Sequence, residues 1–319
     1  MDVECFVGID VSKARLDGCV RRRQSFQQDN TAAGIDRVAA LLGNYPVTLV
    51  VVEATGGLEV PLVRALQKAR IPVAVVNPRQ TRDFAKATGA LAKTDAIDAE
   101  VLAHFAEALR PEPRQLTNDQ TLLLDAVLTR RRQLIDMRTM EQNRLSSCAD
   151  AKVRRDIQAH LDWLNQHIDD ADQAMCDAVR DNPAWQAQDR LQQSVPGIGK
   201  VVSRTLLASF PELGQASSKK LAALAGLAPF AHDSGKHRGK RHIFGGRGEV
   251  RAKLFMAAMS VSRSEGPLAE FYQRLRAAGK EFKVAIVALA RKLLTVVNAV
   301  VRSGIPYQTA YHSAQLCEA

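Results

Sequence analysis

Val47-Thr-Leu-Val-Val-Val-Glu53 is an unbroken, largely β-branched run that ends on a carboxylate. A run of this kind, with no polar alternation, predicts a strand covered on both faces of a sheet. Upstream, Phe6-Val-Gly-Ile-Asp10 is a second apolar run closed by an acid, and Leu16–Val20 can pair beside it as a hairpin neighbour. Asn30-Thr-Ala-Ala-Gly-Ile opens a helical pattern through Leu42. Downstream, Val60–Ala69 reads as a helix and Pro72–Val76 as a further strand, closed by Asn77-Pro78. This alternation predicts an α/β domain: a mixed sheet with flanking helices.

Pro111-Glu-Pro113 marks a boundary. Residues 117–180 contain no Gly or Pro, which permits long helices. Ile157, Leu161, Leu164, Ile168, Ala171, Met175 and Val179 step by fours and threes, a seam of coiled-coil type over three heptads. Val127, Leu134, Met137, Leu145 and Cys148 make a weaker stripe on a preceding helix. A helical hairpin satisfies both, pairing either between subunits or within an intramolecular bundle. Asn182-Pro183 closes this segment, and a mainly helical stretch runs from about Leu191 to Gly304, followed by a tail. The expected organisation is α/β plus α: domains at 1–115, 116–185 and 186–305, with a tail at 306–319.

The chain has 319 residues and a net charge of +10, unevenly spread. Residues 1–115 carry 15 basic and 14 acidic side chains, residues 116–190 carry 10 and 13, and residues 191–319 carry 19 and 7. A last third this basic suits a surface that meets a polyanion. The 46% apolar and 24% charged fractions exclude wholesale disorder. The most apolar stretch, Val284–Val301, is interrupted by Arg291 and Lys292, and the N-terminus lacks a basic-then-apolar leader pattern. A cytoplasmic protein with no membrane partner is expected. Five cysteines with no C-x-x-C pair argue against zinc ribbons and disulfide frameworks, leaving buried or idle thiols.

Four acids stand out by position. Asp10 and Glu53 end strands, while Asp95 and Asp98 lie in Lys93-Thr-Asp-Ala-Ile-Asp98, where Thr94 could cap a helix that carries both aspartates on one face. Carboxylates at strand ends facing a helix-borne pair can make an oxygen-rich site for magnesium or manganese. The same acids could instead cap strands and favour a helix N-terminus.

The basic third contains two phosphate-binding patterns. Ser194-Val-Pro-Gly-Ile-Gly199-Lys200 places Gly197 and Gly199 in a tight turn before a helix, with Lys200 adjacent, as in helix-hairpin-helix modules. The stretch from Asp233 to Arg251 sets Lys236, Arg238, Lys240, Arg241, Arg247 and Arg251 among five glycines. Ser234 lies within it. Composition alone makes this serine a loop residue or phosphate donor; the surrounding arginines would also permit it to attack a phosphate. His232, His237 and His242 could serve phosphate contact or proton transfer.

Taken together these blocks resemble the bacterial insertion-sequence 110 transposases, a family that includes the Piv-type DNA invertases. The likeness covers roughly residues 4–300. It rests on Gly8-Ile-Asp-Val-Ser-Lys13, Glu53-Ala-Thr-Gly56, Val75-Val-Asn-Pro78, Lys93-Thr-Asp-Ala-Ile-Asp-Ala99, Val195-Pro-Gly-Ile-Gly199 and Ser234-Gly followed by Gly245-Gly-Arg247. Leu58 stands where an aromatic residue is common and Phe255 where tyrosine is, and neither position supplies a catalytic group. The resemblance implies an RNase H or RuvC-like domain whose Asp10, Glu53, Asp95 and Asp98 bind divalent metal. It also implies a transposase domain with Ser234 as catalytic serine, and a dimerising coiled coil. Further implied are donor and target DNA, a structured element-encoded bridge RNA that pairs with both, and a synaptic tetramer in which one subunit's acids work with another's serine. The expected function is RNA-guided strand exchange through a phosphoserine intermediate. A site-specific invertase, a RuvC-like junction nuclease using water, and a non-catalytic nucleic-acid binder are the competing readings.

Overall fold

The computed structural model describes residues 4–90, 95–113, 119–231, 233–234, 237–239 and 241–308. They divide into two compact units, Met1–Thr117 and Asn118–Ala319.

In the first unit, β1 (Cys5–Val11), β2 (Arg15–Val20) and β3 (Gln24–Asp29) form an antiparallel meander. Helix α1 (Ala32–Gly43), capped by the Thr31 side chain, carries the chain to β4 (Val47–Glu53), parallel to β1. Helix α2 (Val60–Lys68) leads to β5 (Val73–Val76), parallel to β4, and the strand order is β3-β2-β1-β4-β5. Helices α3 (Pro78–Ala87) and α4 (Asp95–Leu109) complete the unit. The five-stranded mixed sheet matches the expected α/β architecture. Strand β3 was not expected: Gln24, Ser25, Gln27 and Gln28 make it too polar to stand out, and it forms an edge where water satisfies one side.

Both faces of the sheet are covered, which explains the unbroken apolar run of β4. On one face Val7, Ile9, Val50, Val52 and Val73 pack with Ile35, Val38, Leu42, Leu62 and Leu66 of α1 and α2. On the other, Phe6, Leu49, Val51, Ala74 and Val76 pack with Leu102, Phe105 and Ala106 of α4. At Gly8 this second helix comes down onto the strand itself. A Cβ there would sit 2.2 Å from the Ala103 amide nitrogen and 2.3 Å from the Ala99 carbonyl oxygen. Arg21 Nε donates to Glu107 Oε2 at 2.9 Å, tying the β2–β3 turn to α4 and holding the Glu107 carboxyl below its ordinary value. Cys5 and Cys19 are buried, and burial pushes both thiols up, which fits idle thiols.

In the second unit, α5 (Asp119–Ser147) and α6 (Ala151–Arg180) form an antiparallel hairpin, tied at mid-length by Arg131 and Asp172 (2.8 and 2.9 Å). The expected seam is buried on α6 at Leu161, Leu164, Ile168, Met175 and Val179, with Ile157 and Ala171 at its half-buried margin. On α5 the buried stripe is Leu124, Leu128 and Leu134, with Val127 and Met137 half-buried beside it. At its base the hairpin shares a core with a later helix, because Leu124, Leu128, Met175 and Val179 pack against Leu207 and Ala208.

Those last two residues belong to α8 (Lys200–Ser209), which comes after α7 (Pro183–Gln193) and precedes α9 (Ser218–Leu224). Short strands β6 (Pro229–Phe230), β7 (Asp233–Ser234), β8 (His237–Arg238) and β9 (His242–Ile243) come next. Helices α10 (Gly248–Val261), α11 (Pro267–Ala277) and α12 (Phe282–Ser303) end the unit. By length and composition α12 could cross a membrane. Here it is the central core helix, burying Ile286, Leu289, Leu293, Val297 and Val300 among α8, α9 and α10 residues.

The Gly8 contact can be tested directly. Its neighbours are backbone atoms with nowhere to move, so Gly8→Ala should cost about 3 kcal/mol in urea unfolding of the full chain, the upper end for overpacking. Gly43→Ala meets nothing within 4 Å and should be neutral or slightly stabilising. Equal effects at the two glycines would contradict this packing.

Candidate active site and nucleic-acid ribbon

Asp10 and Glu53 belong to neighbouring parallel strands, one step beyond the ladder pair Ile9–Val52. Such strands lie about 4.8 Å apart. Alternation along β1 and β4 puts Asp10 on the face of Phe6 and Gly8, and Glu53 on the face of Leu49 and Val51, which is the face that α4 covers. Phe6 meets α4 near Leu102, Phe105 and Ala106, and Gly8 meets it at Ala99 and Ala103. One more step along β1 therefore brings Asp10 toward the first turn of α4, where Asp95 and Asp98 lie. The tight Gly8 contact sets this approach.

Glu53 has a positioning partner that sequence reasoning missed. The Thr81 hydroxyl, on α3 and only 2% exposed, donates to Glu53 Oε1. Thr81 reaches it because the Asn77 side chain caps α3, accepting from the Arg79 amide at 2.9 Å, with Pro78 at the first helical position. Glu59, also missed, organises the loop after Glu53. Its buried carboxylate accepts from the Thr55 amide (3.1 Å), the Thr55 hydroxyl (3.0 Å) and the Gly57 amide (2.8 Å). The acid directly after Gly56-Gly57-Leu58 was the available signal for Glu59; no spacing rule links Thr81 to Glu53.

Among the described residues no three His, Cys, Asp or Glu side chains form a metal-binding cluster. The Asp95 side chain, and Lys93 and Thr94 with the expected cap, lie outside the described residues. The donor chemistry nevertheless suits a hard cation: two carboxylates on one face of adjacent strands, facing a helix start that carries two more.

In the second unit the turn before α8 has the expected shape. Val195 and Ile198 are buried, Gly197 lies against Val261 with φ +82°, and Gly199 is the exposed N-cap of α8 with no side chain capping it. Lys200, beside it, is exposed. The first amides of α8 are thus unshielded by any side-chain cap, a geometry suited to an anion.

Strands β6 to β9 build a narrow ribbon. Phe230 pairs with His242 and Pro229 with Ile243; nearer the tip, Ser234 pairs with His237 and Asp233 with Arg238. Ser234 is exposed. Lys236, Lys240 and His232 lie outside the described residues, as do the side chains of His237 and Arg238, while Arg241 is exposed.

Two of the expected phosphate ligands are engaged in holding the ribbon's foot. Arg247 makes a two-pronged ion pair with Glu212 (2.6 and 2.7 Å), donates to the Ser209 carbonyl at 2.9 Å, and lies over the Phe210 ring. Arg251 donates to the Gly245 carbonyl at 2.5 Å. Gly226 and Gly246 pack backbone to backbone, both with positive φ, and a Cβ on Gly246 would lie 2.2 Å from the Gly226 nitrogen. Glu212, thirty-five residues from Arg247, could not be found from sequence.

A transposase profile of the IS110 DEDD type matches residues 7–152, and one described as transposase, IS116/IS110/IS902 family, matches residues 189–273. The pilin gene-inverting protein of Moraxella lacunata is 31% identical over 96% of this chain and 98% of its own length. The Moraxella bovis protein of the same name is 31% identical over equal shares. An uncharacterized 42 kDa protein of insertion element IS900 from Mycobacterium paratuberculosis is 35% identical over 38% of this chain and 31% of its own.

A double-mutant cycle tests the foot of the ribbon. Arg247→Ala and Glu212→Ala should show a coupling of about 1–2 kcal/mol in denaturant unfolding, as for a charge-assisted two-pronged pair that is partly buried. Zero coupling would return Arg247 to the cations available for phosphate.

Proposed function

The chain belongs to the IS116/IS110/IS902 transposase family, and on that premise we propose that it cleaves and rejoins DNA strands with Ser234 as nucleophile. The observation that carries this reading is the position of Ser234: exposed, near the tip of a ribbon rich in arginine and lysine, whose foot is anchored through Arg247, Arg251 and the Gly226–Gly246 contact. Its hydroxyl oxygen attacks a DNA phosphorus. The new oxygen–phosphorus bond forms as the bond to one deoxyribose oxygen breaks, and that oxygen leaves as a hydroxyl after taking up a proton. The phosphoserine conserves the energy of the broken phosphodiester, so attack by another strand's hydroxyl regenerates Ser234 and joins new partners. Gly197, Gly199 and Lys200, with Lys236, Arg238, Lys240 and Arg241, hold the DNA backbone.

Asp10, Glu53, Asp95 and Asp98 would hold magnesium or manganese, which when bound supplies Lewis-acid stabilisation of charge at the phosphate. Thr81 orients Glu53 for that role, and Glu59 fixes the loop after it. The family resemblance extends the proposal to RNA-guided pairing of donor and target DNA in the bacterial cytoplasm, at the nucleoid, by a tetramer of hairpin-paired dimers. It also assigns one subunit's acids to work with another's serine.

Inversion of a DNA segment is a second reading, favoured by the near full-length similarity to the pilin gene-inverting proteins. It uses the same chemical steps and differs in the arrangement of recombination sites.

Ser234→Ala should abolish covalent protein–DNA adducts, trapped by denaturation during strand exchange, while leaving DNA binding within about twofold. Adduct formation by the variant would remove Ser234 as nucleophile, and free ends without adducts in the wild type would favour a water-using nuclease. Strand exchange should require added magnesium or manganese. Thr81→Val should raise the metal concentration for half-maximal rate about tenfold, with Thr81→Ser restoring it, as for outer partners of metal ligands. No metal requirement would reduce the four acids to structural roles.

A further inference from the structure

The ribbon carries a feature that phosphate binding does not use. Phe230 is 47% exposed and Phe244 is 63% exposed. Fully burying a phenylalanine is worth about 1.5–3 kcal/mol, and these two positions forgo much of it. The register places them together. Phe230 pairs directly with His242, and Phe244 directly follows the two-residue strand that contains His242, so both phenylalanines lie close to this strand pair. Arg241 beside them is exposed, and the sequence from Pro229 to Phe244 holds Lys236, Arg238, Lys240 and Arg241 against Asp233 as its one acid. Exposed flat rings flanking a sequence rich in lysine and arginine are the ingredients of a base-stacking platform. The anchored foot begins at Gly245 and Gly246, directly after Phe244.

We propose that Phe230 and Phe244 stack on unpaired bases of single-stranded DNA exposed beside the phosphate that Ser234 attacks. DNA is the ligand because the proposed nucleophile, Ser234, lies four residues along the chain from Phe230. The inference thus rests on the strand-exchange reading for its placement, while its binding test needs no chemistry. Where bases beside the break are unpaired, the rings give them a surface to stack on in place of their lost neighbours.

The test compares fluorescence anisotropy of labelled single-stranded DNA with that of the same strand carrying abasic sites, using full-length protein without divalent metal. The wild type and Ser234→Ala should both bind the base-bearing strand at least about tenfold more tightly than the abasic strand. Phe230→Ala/Phe244→Ala should lose that difference yet keep its affinity for the abasic strand and its thermal unfolding midpoint. Phe230→Tyr/Phe244→Tyr should restore the difference, because the stacking surface returns. Full base preference in the double-alanine variant, or its failure to return with tyrosine, overturns the proposal. A ring-dependent preference found with single-stranded RNA and absent with DNA also overturns it. If Ser234→Ala still forms adducts while base preference depends on the rings, the nucleophile assignment fails and the platform stands.

Discussion

The strand at Gly8 and helix α4 touch backbone to backbone, and the acid site depends on that approach. Any side chain at residue 8 would push the helix outward by more than the space a core can yield. With glycine there, α4 settles on β1 so that its first turn, with Asp95 and Asp98, arrives where Asp10 and Glu53 end their shared face. The helix is held along its length by Leu102, Phe105 and Ala106, and beyond them by the Arg21–Glu107 pair. The Thr81 hydroxyl then donates to Glu53 on that same face, so the strand-end acid is held from the α3 side as well.

The second unit solves a different problem. A ribbon of two-residue strands has too few ladder bonds to stand alone. Its stability comes from the foot: Arg247 on Glu212, Arg251 on the Gly245 carbonyl, and two glycines pressed together. Cations that composition assigns to phosphate are thereby divided into two jobs. Arg241 near the ribbon's end is exposed, while Arg247 and Arg251 support the scaffold. A net charge cannot make that division, because a guanidinium in an ion pair counts the same as one in water.

Much of the fold was legible because both of its signals are local. Continuous apolar runs at β1 and β4 announced strands buried on two faces, and the absence of Gly and Pro from 117–180 announced long helices. Strand β3 escaped because an edge strand half in water needs little apolar character. The strand-end acids and the helix-start acids were visible as types at telling positions. Thr81, Glu59 and Glu212 were not, since a buried threonine or glutamate acquires its role only from the group it meets, and those groups lie 2 to 35 residues away.

The sequence by itself determined the order of the elements, the acids at their ends and the basic character of the last third, because each is written in neighbouring residues. Tertiary structure decided which face each strand turned to α4 and which arginines were taken up by the scaffold. It also decided that Phe230 and Phe244 would stay largely exposed. Those outcomes depend on distances between residues remote in the chain, and only packing sets such distances.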